Sequence, residues 1–267
     1  MLGEILEQNR ARRPLVHCIT NYVTANDCAN LLLASGGSAI MADDPEEVAE
    51  ITSRCDGLVL NMGTPNPRRL SAFLAAGEAA NRLGHPVILD PVGVGSSDMR
   101  RRAGLQLLER VRFAAIRGNA SEIAALVRGA QSRRGVDADG EAAESAGEDA
   151  ASLARLTGAV VAVTGETDVV SDGTVQYRAR NGHPLMRAVT GTGCQLSALL
   201  GAFAASNPQR IREAALAAVC AMGLCGEIAH ARLSPQDGNA SYRNYIIDAL
   251  FHLTPKQLER GANYEVY

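Results

Sequence analysis

The sequence is poor in lysine and contains no tryptophan. Of the 26 basic residues in this 267-residue chain, Lys256 is the only lysine, so the others are arginines. A phosphate-binding loop of the G-x-x-x-x-G-K-[ST] type needs its lysine, and P-loop NTPases are therefore excluded. Schiff-base chemistry would depend on Lys256, which follows Pro255 near the C-terminus, an unfavourable place for a catalytic amine.

The chain also lacks an excess of charge of either sign. Its 26 basic and 29 acidic residues give a net charge of −3, and aromatic residues make up only 4%. This balance provides no basic surface for a phosphate backbone and few rings on which bases could stack. We expect no nucleic-acid partner.

Long apolar runs and paired cysteines are missing as well. The six cysteines form no C-x-x-C pair, which favours reduced thiols in the cytoplasm over disulfides or zinc. The segment from Met1 to Arg13 is charged and lacks the apolar core of a signal peptide. The longest apolar stretch, Ala214 to Gly226, is too short to span a bilayer and is predicted to be a buried helix. We expect a cytoplasmic protein with no membrane partner.

Short apolar runs alternate with helical patterns along the remaining sequence. This alternation is typical of an α/β fold with a mostly parallel central sheet flanked by helices on both faces, and we expect one domain over residues 1–267. A Gly- and acid-rich segment, 128–149, is predicted to be a mobile loop that leads into a helix, and it is given no role. Strands are expected at 15–19, 38–41, 57–61, 86–90, 113–116 and 159–164, with an edge hairpin at 168–170 and 174–180. Helices are expected at 24–34, from Asp44, from Thr64-Pro65, and at 119–127, 193–205, 208–230 and 240–253.

The most specific segment is Val189-Thr-Gly-Thr-Gly-Cys194, which leads directly into an apolar helical pattern. Two glycines allow the backbone N–H groups at a helix N-terminus to converge on an anion, with the dipole adding about 0.3–1 kcal/mol. A thiol in that first turn is expected to have a lowered pKa. The alternatives are a plain glycine-rich loop with a buried cysteine, or a hydrolase that pairs Cys194 with a distant histidine.

Two further candidates follow predicted strands. Asn119 and Glu122 have the spacing of a helix cap, and the alternative to a structural cap is an outer-sphere magnesium ligand at Glu122. Arg117 beside them could clamp a phosphate. Asp90 ends a strand that is apolar throughout, and it is either a functional acid or a structural aspartate with all its hydrogen bonds made.

The motifs together resemble hydroxyethylthiazole kinase, a family of ribokinase-like α/β kinases. The resemblance covers about residues 10–255 and keeps the motifs in order. It implies phosphorylation of the primary alcohol of 4-methyl-5-(2-hydroxyethyl)thiazole by ATP with Mg²⁺, in thiamine biosynthesis or salvage. The motifs are Pro14-Leu-Val-His-Cys-Ile-Thr-Asn21, Ala39-Ile-Met-Ala42, Leu60-Asn-Met-Gly-Thr64, Ile88-Leu-Asp-Pro-Val-Gly93, Ile116-Arg-Gly-Asn-Ala-Ser-Glu-Ile123, Val163-Thr-Gly-Glu166 and Val189-Thr-Gly-Thr-Gly-Cys194.

The resemblance also implies roles for individual residues. Cys194 stands where most ribokinase-like enzymes carry the catalytic aspartate, and it is expected to orient the alcohol or accept its proton. The family is known as a homotrimer with active sites at subunit interfaces, which implies the same assembly here. The segment Gly238-Asn-Ala-Ser-Tyr-Arg-Asn244 departs from the family's Pro-Gly-Ser-Phe pattern, so no role is carried over there. The implied ATP contacts are Arg117, Thr164 and Gly193, the thiazole contacts are Met41, Gly191, Asn21 and Val23, and the acids that organise magnesium are Asp90 and Glu122.

Two other functions remain open at this point. One is a related kinase of another small alcohol such as hydroxymethylpyrimidine, in which an aspartate normally stands at the position of Cys194. The other is a non-catalytic protein that binds a nucleotide or a thiazole without releasing ADP.

Overall fold

The computed structural model describes residues 1–133 and 146–267, and side chains outside 130–145. In these residues nine strands form one sheet. The strands are β1 (Leu15–Ile19), β2 (Ser38–Ile40), β3 (Gly57–Asn61), β4 (Val87–Asp90), β5 (Ala115–Asn119), β6 (Val160–Thr164), β7 (Asp168–Ser171), β8 (Gln176–Ala179) and β9 (Tyr264–Val266). The helices are α1 (Leu2–Arg12), α2 (Ala25–Ser35), α3 (Val48–Ser53), α4 (Pro67–Leu83), α5 (Asp98–Arg110), α6 (Ala120–Arg133), α7 (Ala146–Thr157), α8 (Thr192–Ser206), α9 (Ile211–Arg232), α10 (Asn239–His252) and α11 (Pro255–Gly261).

The strand order is β2-β1-β3-β4-β5-β6-β7-β8-β9. The pairings from β2 to β6 are all parallel, and β7, β8 and β9 extend the sheet with antiparallel pairings. The carboxyl ends of the parallel strands therefore lie along one edge, where ligands bind in open α/β sheets.

Alternating side chains of the strands divide the core between the two faces of the sheet. On β3, Val59 packs on one face, together with α1, α2, α8, α9 and α10. Its neighbours Leu58 and Leu60 pack on the other face, against α3 to α7. Since strand side chains alternate with a period of two, buried runs such as β3 and β4 are expected when helices cover both faces. The mostly parallel α/β fold predicted from the sequence is confirmed.

Three predicted boundaries are wrong. Asp44 begins a turn, in which its carboxylate accepts a hydrogen bond from Glu46 N–H, and the helix starts only at Val48. The helix expected from Thr64-Pro65 begins at Pro67 because Asn66 caps it. The strand expected at 113–116 is shifted to β5, which extends to Asn119 by pairing with β6.

Other differences come from contacts between distant segments. The antiparallel hairpin of β7 and β8 is present, but β9 pairs with β8 and forms the edge of the sheet. Helices α1, α5 and α11 are additional to those predicted. The expected loop at 128–149 is helical at both described ends, in α6 and α7, and its residues 134–145 lie outside the described part of the chain.

The apolar stretch at 214–226 forms the middle of a longer helix. Within the described residues, α9 is long and apolar enough to cross a membrane by length and composition, but 72% of its apolar window is buried inside the protein. It packs mainly against α8 and α10. The prediction of a buried helix is confirmed.

Candidate active site

The carboxyl ends of the central parallel strands bring polar side chains together. Asn61 at the end of β3 pairs in the sheet register with Asp90 at the end of β4. Arg117 lies on β5, and Thr164 ends the neighbouring β6. Asn61 and Asp90 are 1% and 0% exposed, so this edge contains a carboxyl group withdrawn from water.

The first turn of α8 lies against the same edge. Gly191 precedes the helix in the left-handed region with φ 81°, and a Cβ there would lie 2.2 Å from Thr24 Cγ2, so only glycine fits. A glycine cap has no side chain to occupy the first N–H groups of the helix. Those of Thr192, Gly193 and Cys194 are therefore left for a ligand. Together with the helix dipole, they form a site suited to an anion.

The guanidinium group of Arg117 joins this helix terminus to the sheet. Its Nη2 donates a hydrogen bond to Thr164 Oγ1, and its Nη1 lies 3.8 Å from Asp90 Oδ2. A Cβ on Gly193 would lie 2.3 Å from Arg117 Nη1, so the guanidinium lies directly over this glycine. The predicted ATP contacts Arg117, Thr164 and Gly193 thus form one cluster, in which a cation accompanies the free N–H groups.

Asp90 has one satisfied oxygen and one unsatisfied oxygen. Its Oδ2 accepts hydrogen bonds from Asn61 Nδ2 and Ser197 Oγ, both at 2.8 Å. Its buried Oδ1 has no hydrogen-bond partner among the described residues. Burial raises the pKa of Asp90 to about 6, against the opposing effects of Arg117 and Ser197. A purely structural aspartate would have both buried oxygens hydrogen-bonded, so the unpaired Oδ1 favours a functional role for Asp90.

Glu122 forms the helix cap that its spacing predicted. Its Oε2 accepts a hydrogen bond from Asn119 N–H at 2.9 Å, and Asn119 Oδ1 accepts one from Glu122 N–H at 3.0 Å. Its Oε1 accepts a further hydrogen bond from Gly93 N–H at 2.9 Å, which ties the loop after β4 to α6. Each carboxylate oxygen retains a second lone pair, so the cap does not prevent Glu122 from also binding water.

These two acids fit a magnesium ion. Magnesium usually takes one or two protein carboxylates and completes its shell with water and substrate phosphates. Asp90 Oδ1 is an unpaired acceptor, and Glu122 has the capacity for a water-mediated contact. No cluster of three or more His, Cys, Asp or Glu side chains that could hold a metal occurs in the described part of the chain.

Cys194 lies beside the amide of Asn21, whose Nδ2 is 3.4 Å from Cys194 Sγ. The lowered thiol pKa expected from the helix N-terminus is wrong. Burial and the negative charge of Asp90 raise the pKa of Cys194, and hydrogen bonds from Thr24, Asn61 and Asn21 counteract this only in part. At neutral pH the side chain is therefore a neutral thiol in most molecules.

A cavity of about 680 Å³ opens next to the helix terminus, a size that suits a small ligand. Its lining includes all three predicted ATP contacts. Asp168 also lines it, and burial raises the pKa of this acid to about 6. Apolar side chains from α8, α9 and the preceding turn provide other parts of the wall, namely Met186, Leu196, Val219 and Met222.

The predicted thiazole contacts lie outside this cavity. Asn21 Oδ1 accepts a hydrogen bond from Thr24 N–H at 3.1 Å, and Thr24 is the residue in contact with Gly191, so these residues lie close to Cys194. Val23 and Met41, in contrast, are 66% and 38% exposed. The surface at these two predicted thiazole contacts is thus open to solvent within one chain.

Asn61, Ser197 and Thr24 belong to the site but were not assigned roles from the sequence. Asn61 had a detectable signal, since it ends a predicted strand. Ser197 is a polar residue three positions after Cys194 in a mostly apolar helix, a spacing that places both on one face. Thr24 carries no sequence signal, because its importance comes from contact with Gly191 across the fold.

Comparisons with known proteins identify the family of the chain. The model of the hydroxyethylthiazole kinase family matches residues 6–256. The chain is 52% identical over 273 residues to the hydroxyethylthiazole kinase of Clostridium acetobutylicum, with 100% of both chains covered. The solved structure of a hydroxyethylthiazole kinase from Pyrococcus horikoshii OT3 has a TM-score of 0.90 at 35% identity and covers 100% of this chain and 98% of that one.

A more distant structure shares the fold alone. The pyridoxal kinase from Staphylococcus aureus has a TM-score of 0.60 at 12% identity, covering 95% of this chain and 97% of its own. The two proteins thus have the same α/β fold. From the family match and the identity over its full length, the chain belongs to the hydroxyethylthiazole kinase family.

Proposed function

We propose that this enzyme transfers the γ-phosphoryl group of ATP to the primary hydroxyl of 4-methyl-5-(2-hydroxyethyl)thiazole, which supplies the thiazole phosphate for thiamine. The observation that carries the proposal is the position of α8. Its free N–H groups and Arg117 border the cavity, while Cys194 on the same turn faces Asn21. One helix terminus thus separates a place for phosphates from a place for an alcohol.

Arg117, Thr164 and Gly193 hold the phosphates in this proposal. Phosphoryl transfer passes through a loose transition state, so catalysis comes mainly from positioning and charge neutralisation. Arg117 brings a positive charge that Thr164 fixes in place, and Gly193 exposes its N–H without a side chain in the way. This arrangement can stabilise phosphate charge without the lysine of a P-loop.

Asp90 and Glu122 would hold Mg²⁺. The ion, when bound, neutralises phosphate charge. Asp90 contributes its unpaired Oδ1, and with a pKa of about 6 it is largely ionised at neutral pH. Glu122 fixes the loop at Gly93 and offers its remaining lone pairs to water.

Cys194 orients the alcohol in this scheme. Its raised pKa leaves only a small fraction of thiolate at neutral pH, so little general-base catalysis is available. A general base contributes roughly 10²–10⁴-fold in other enzymes, and we place Cys194 at or below the lower limit. Its main contribution is a hydrogen bond that directs the hydroxyl toward the phosphate.

We further propose that the protein is a cytoplasmic homotrimer with active sites at the subunit interfaces. Each subunit is one domain over residues 1–267. Tyr22, Val23 and Met41 support this assembly because they are 75%, 66% and 38% exposed. Tyr22 Oη donates a hydrogen bond to Asp43 Oδ2 at 2.8 Å, which places the segments of Val23 and Met41 side by side. A neighbouring subunit would cover this apolar surface and close the thiazole side.

The test is to incubate the enzyme with ATP, Mg²⁺ and a panel of alcohols, and to follow ADP and phosphorylated product. ADP and thiazole phosphate formed together, with little product from hydroxymethylpyrimidine, would support the proposal. A preference for the pyrimidine alcohol would identify a related kinase, and binding of both ligands without ADP release would identify a non-catalytic protein.

A further inference from the structure

The amide of Asn61 has only one orientation compatible with its partners. The Asp90 carboxylate is an acceptor and lies 2.8 Å from Asn61 Nδ2, so this end of the amide must donate. Gly63 N–H is a donor and lies 2.9 Å from Asn61 Oδ1, so the other end must accept. Asn61 therefore presents its oxygen to the next side chain, Asn21.

The amide of Asn21 is fixed in the same way. Its Nδ2 donates to Asn61 Oδ1 at 3.2 Å, and its Oδ1 accepts hydrogen bonds from both the N–H and the hydroxyl of Thr24 at 3.1 Å. The second N–H of Asn21 Nδ2 is then directed to Cys194 Sγ at 3.4 Å. The orientation of this last donor depends on all the bonds before it.

The network closes into a ring through α8. Ser197 Oγ donates to the Asp90 oxygen that accepts from Asn61, and Ser197 lies on the same helix as Cys194. The ring joins the ends of β1, β3 and β4 to the first turn of α8. Asp90, Asn61 and Ser197 are each no more than 1% exposed, so water does not compete for these bonds.

We propose that Asn61 is a positioning residue for phosphoryl transfer, because it orients the amide of Asn21 so that Asn21 donates an N–H to Cys194 Sγ. The proposal rests on the function given above. It adds a residue that controls how the Cys194 thiol is oriented toward the substrate alcohol. With Asn21 donating from one side, the thiol hydrogen is directed away from Asn21 and is free to meet the substrate alcohol. If the Asn21 amide were reversed, its oxygen would attract the thiol hydrogen instead.

The test measures the reactivity of Cys194 in the folded, full-length chain. The Asn61→Ala variant is treated with iodoacetamide at pH 8, and alkylation of the Cys194 peptide is followed by mass spectrometry, since the other five cysteines are buried. We expect alkylation on the order of tenfold slower, because the thiolate loses N–H donors. A purely structural role predicts the opposite, since a loosened first turn of α8 would expose the thiol and speed alkylation.

Two further variants separate positioning from general destabilisation. Asn21→Ala should slow alkylation like Asn61→Ala, and the double variant should slow it by less than the two single effects combined, since much of the effect of Asn61 passes through Asn21. The matched control is Asn9→Ala: Asn9 is another fully buried asparagine, bonded to Ser35 O at 2.9 Å, and its loss should leave Cys194 alkylation unchanged. Unchanged or faster alkylation in Asn61→Ala, or fully additive effects in the double variant, would overturn the proposal.

The same variants distinguish this proposal from the proposed function. Asn61→Ala should lower kcat for the thiazole alcohol while the KM for ATP stays near that of the unaltered enzyme. A fall in alkylation in Asn61→Ala, without any phosphorylation by the unaltered chain, would reject the kinase function but would still show that Asn61 orients Asn21 toward Cys194. Phosphorylation with kcat and alkylation both unaffected in Asn61→Ala would reject the positioning role alone.

Discussion

Arg117 covers Gly193 so closely that a Cβ on this glycine would lie 2.3 Å from Arg117 Nη1. Gly193 sits in the first turn of α8 with no positive φ, so an alanine there would be unstrained except for this contact. Residue 193 must therefore be a glycine if Arg117 is to keep its position, and substitution of this glycine tests whether that position matters.

We predict that Gly193→Ala displaces Arg117 and lowers kcat/KM for ATP by about 10- to 100-fold, because small misplacements of a positioning group are costly in catalysis. Steady-state kinetics with varied ATP measure this loss. The control is Gly238→Ala, since a Cβ on Gly238 has no atom within 4 Å. If Gly193→Ala has the same ATP kinetics as the unaltered enzyme, the assignment of Arg117 to the phosphate site is wrong.

Asp90 provides a prediction for stability. Its pKa is raised to about 6 by burial, so its ionised form is disfavoured in the folded protein. The unaltered enzyme should therefore lose stability as the pH rises from about 4 to about 6. Asp90→Asn can keep both hydrogen bonds on the single oxygen that accepts them, and it has no charge to bury.

Between pH 4 and pH 7 we expect the free energy of unfolding of Asp90→Asn to gain about 1–3 kcal/mol relative to the unaltered enzyme. Urea denaturation at a series of pH values measures the difference. Asp98→Asn, at an acid whose side chain is 72% exposed, controls for the loss of a negative charge. A pH-independent difference for Asp90→Asn would mean that Asp90 ionises as it does in water. The same variant should have greatly reduced kinase activity, because the proposed magnesium ligand is gone.

Cys194 provides a test of orientation against base catalysis. Cys194→Ala should slow turnover by about tenfold or less, because a thiol with a raised pKa supplies little base catalysis. Cys194→Asp should retain or increase kcat, since a carboxylate can hold the alcohol by a hydrogen bond and can also take up its proton, which a neutral thiol does not.

Turnover and far-UV circular dichroism of the two Cys194 variants measure activity and folding together. Cys55→Ala, at a buried thiol bonded to Ile51 O before β3, controls for removal of a sulfur. Complete inactivity of a well-folded Cys194→Asp would contradict the assignment of the alcohol to this residue.

Much of the fold could be predicted from local sequence, because β1 and β3 are apolar runs bounded by turn-forming and polar residues. Both strands have the predicted bounds, 15–19 and 57–61. The helix α1 was not predicted, although Leu2, Ile5, Leu6 and Asn9 follow helical spacing and are all buried. The edge strand β9 has three residues, and its formation depends on pairing with β8 far away in the chain.

The candidate site was also predictable only in part, because its contacts join residues that are far apart in the chain. Individual residues at strand ends, such as Asp90, are visible in the sequence because polar groups interrupt apolar runs. The bonds among them are not visible, since Ser197 and Asp90 are 107 residues apart in the chain. The thiol pKa was mispredicted because the helix terminus was considered without the neighbouring acid and the burial that the fold imposes.

The exposed surface formed by Tyr22, Val23 and Met41 provides a test of the proposed trimer. Val23, a predicted thiazole contact two residues after Asn21, is 66% exposed, and such exposed apolar surface is typical of a site that a partner covers. If another subunit covers it, Val23→Glu would bury a charge in the interface, which the assembly cannot accommodate. We predict that Val23→Glu is a folded monomer with a KM for the thiazole alcohol raised at least tenfold, whereas its affinity for ADP changes little.

Size-exclusion chromatography with light scattering measures the mass, and kinetics with varied alcohol measure the KM. Leu33→Glu is the matched control, because Leu33 is 58% exposed on α2 but is not among the predicted thiazole contacts. A trimer that persists in Val23→Glu, with an unchanged KM, would show that this surface lies outside the interface. Loss of the trimer without a change in KM would show that one subunit binds the thiazole alone, since the open side of the site would then need no partner.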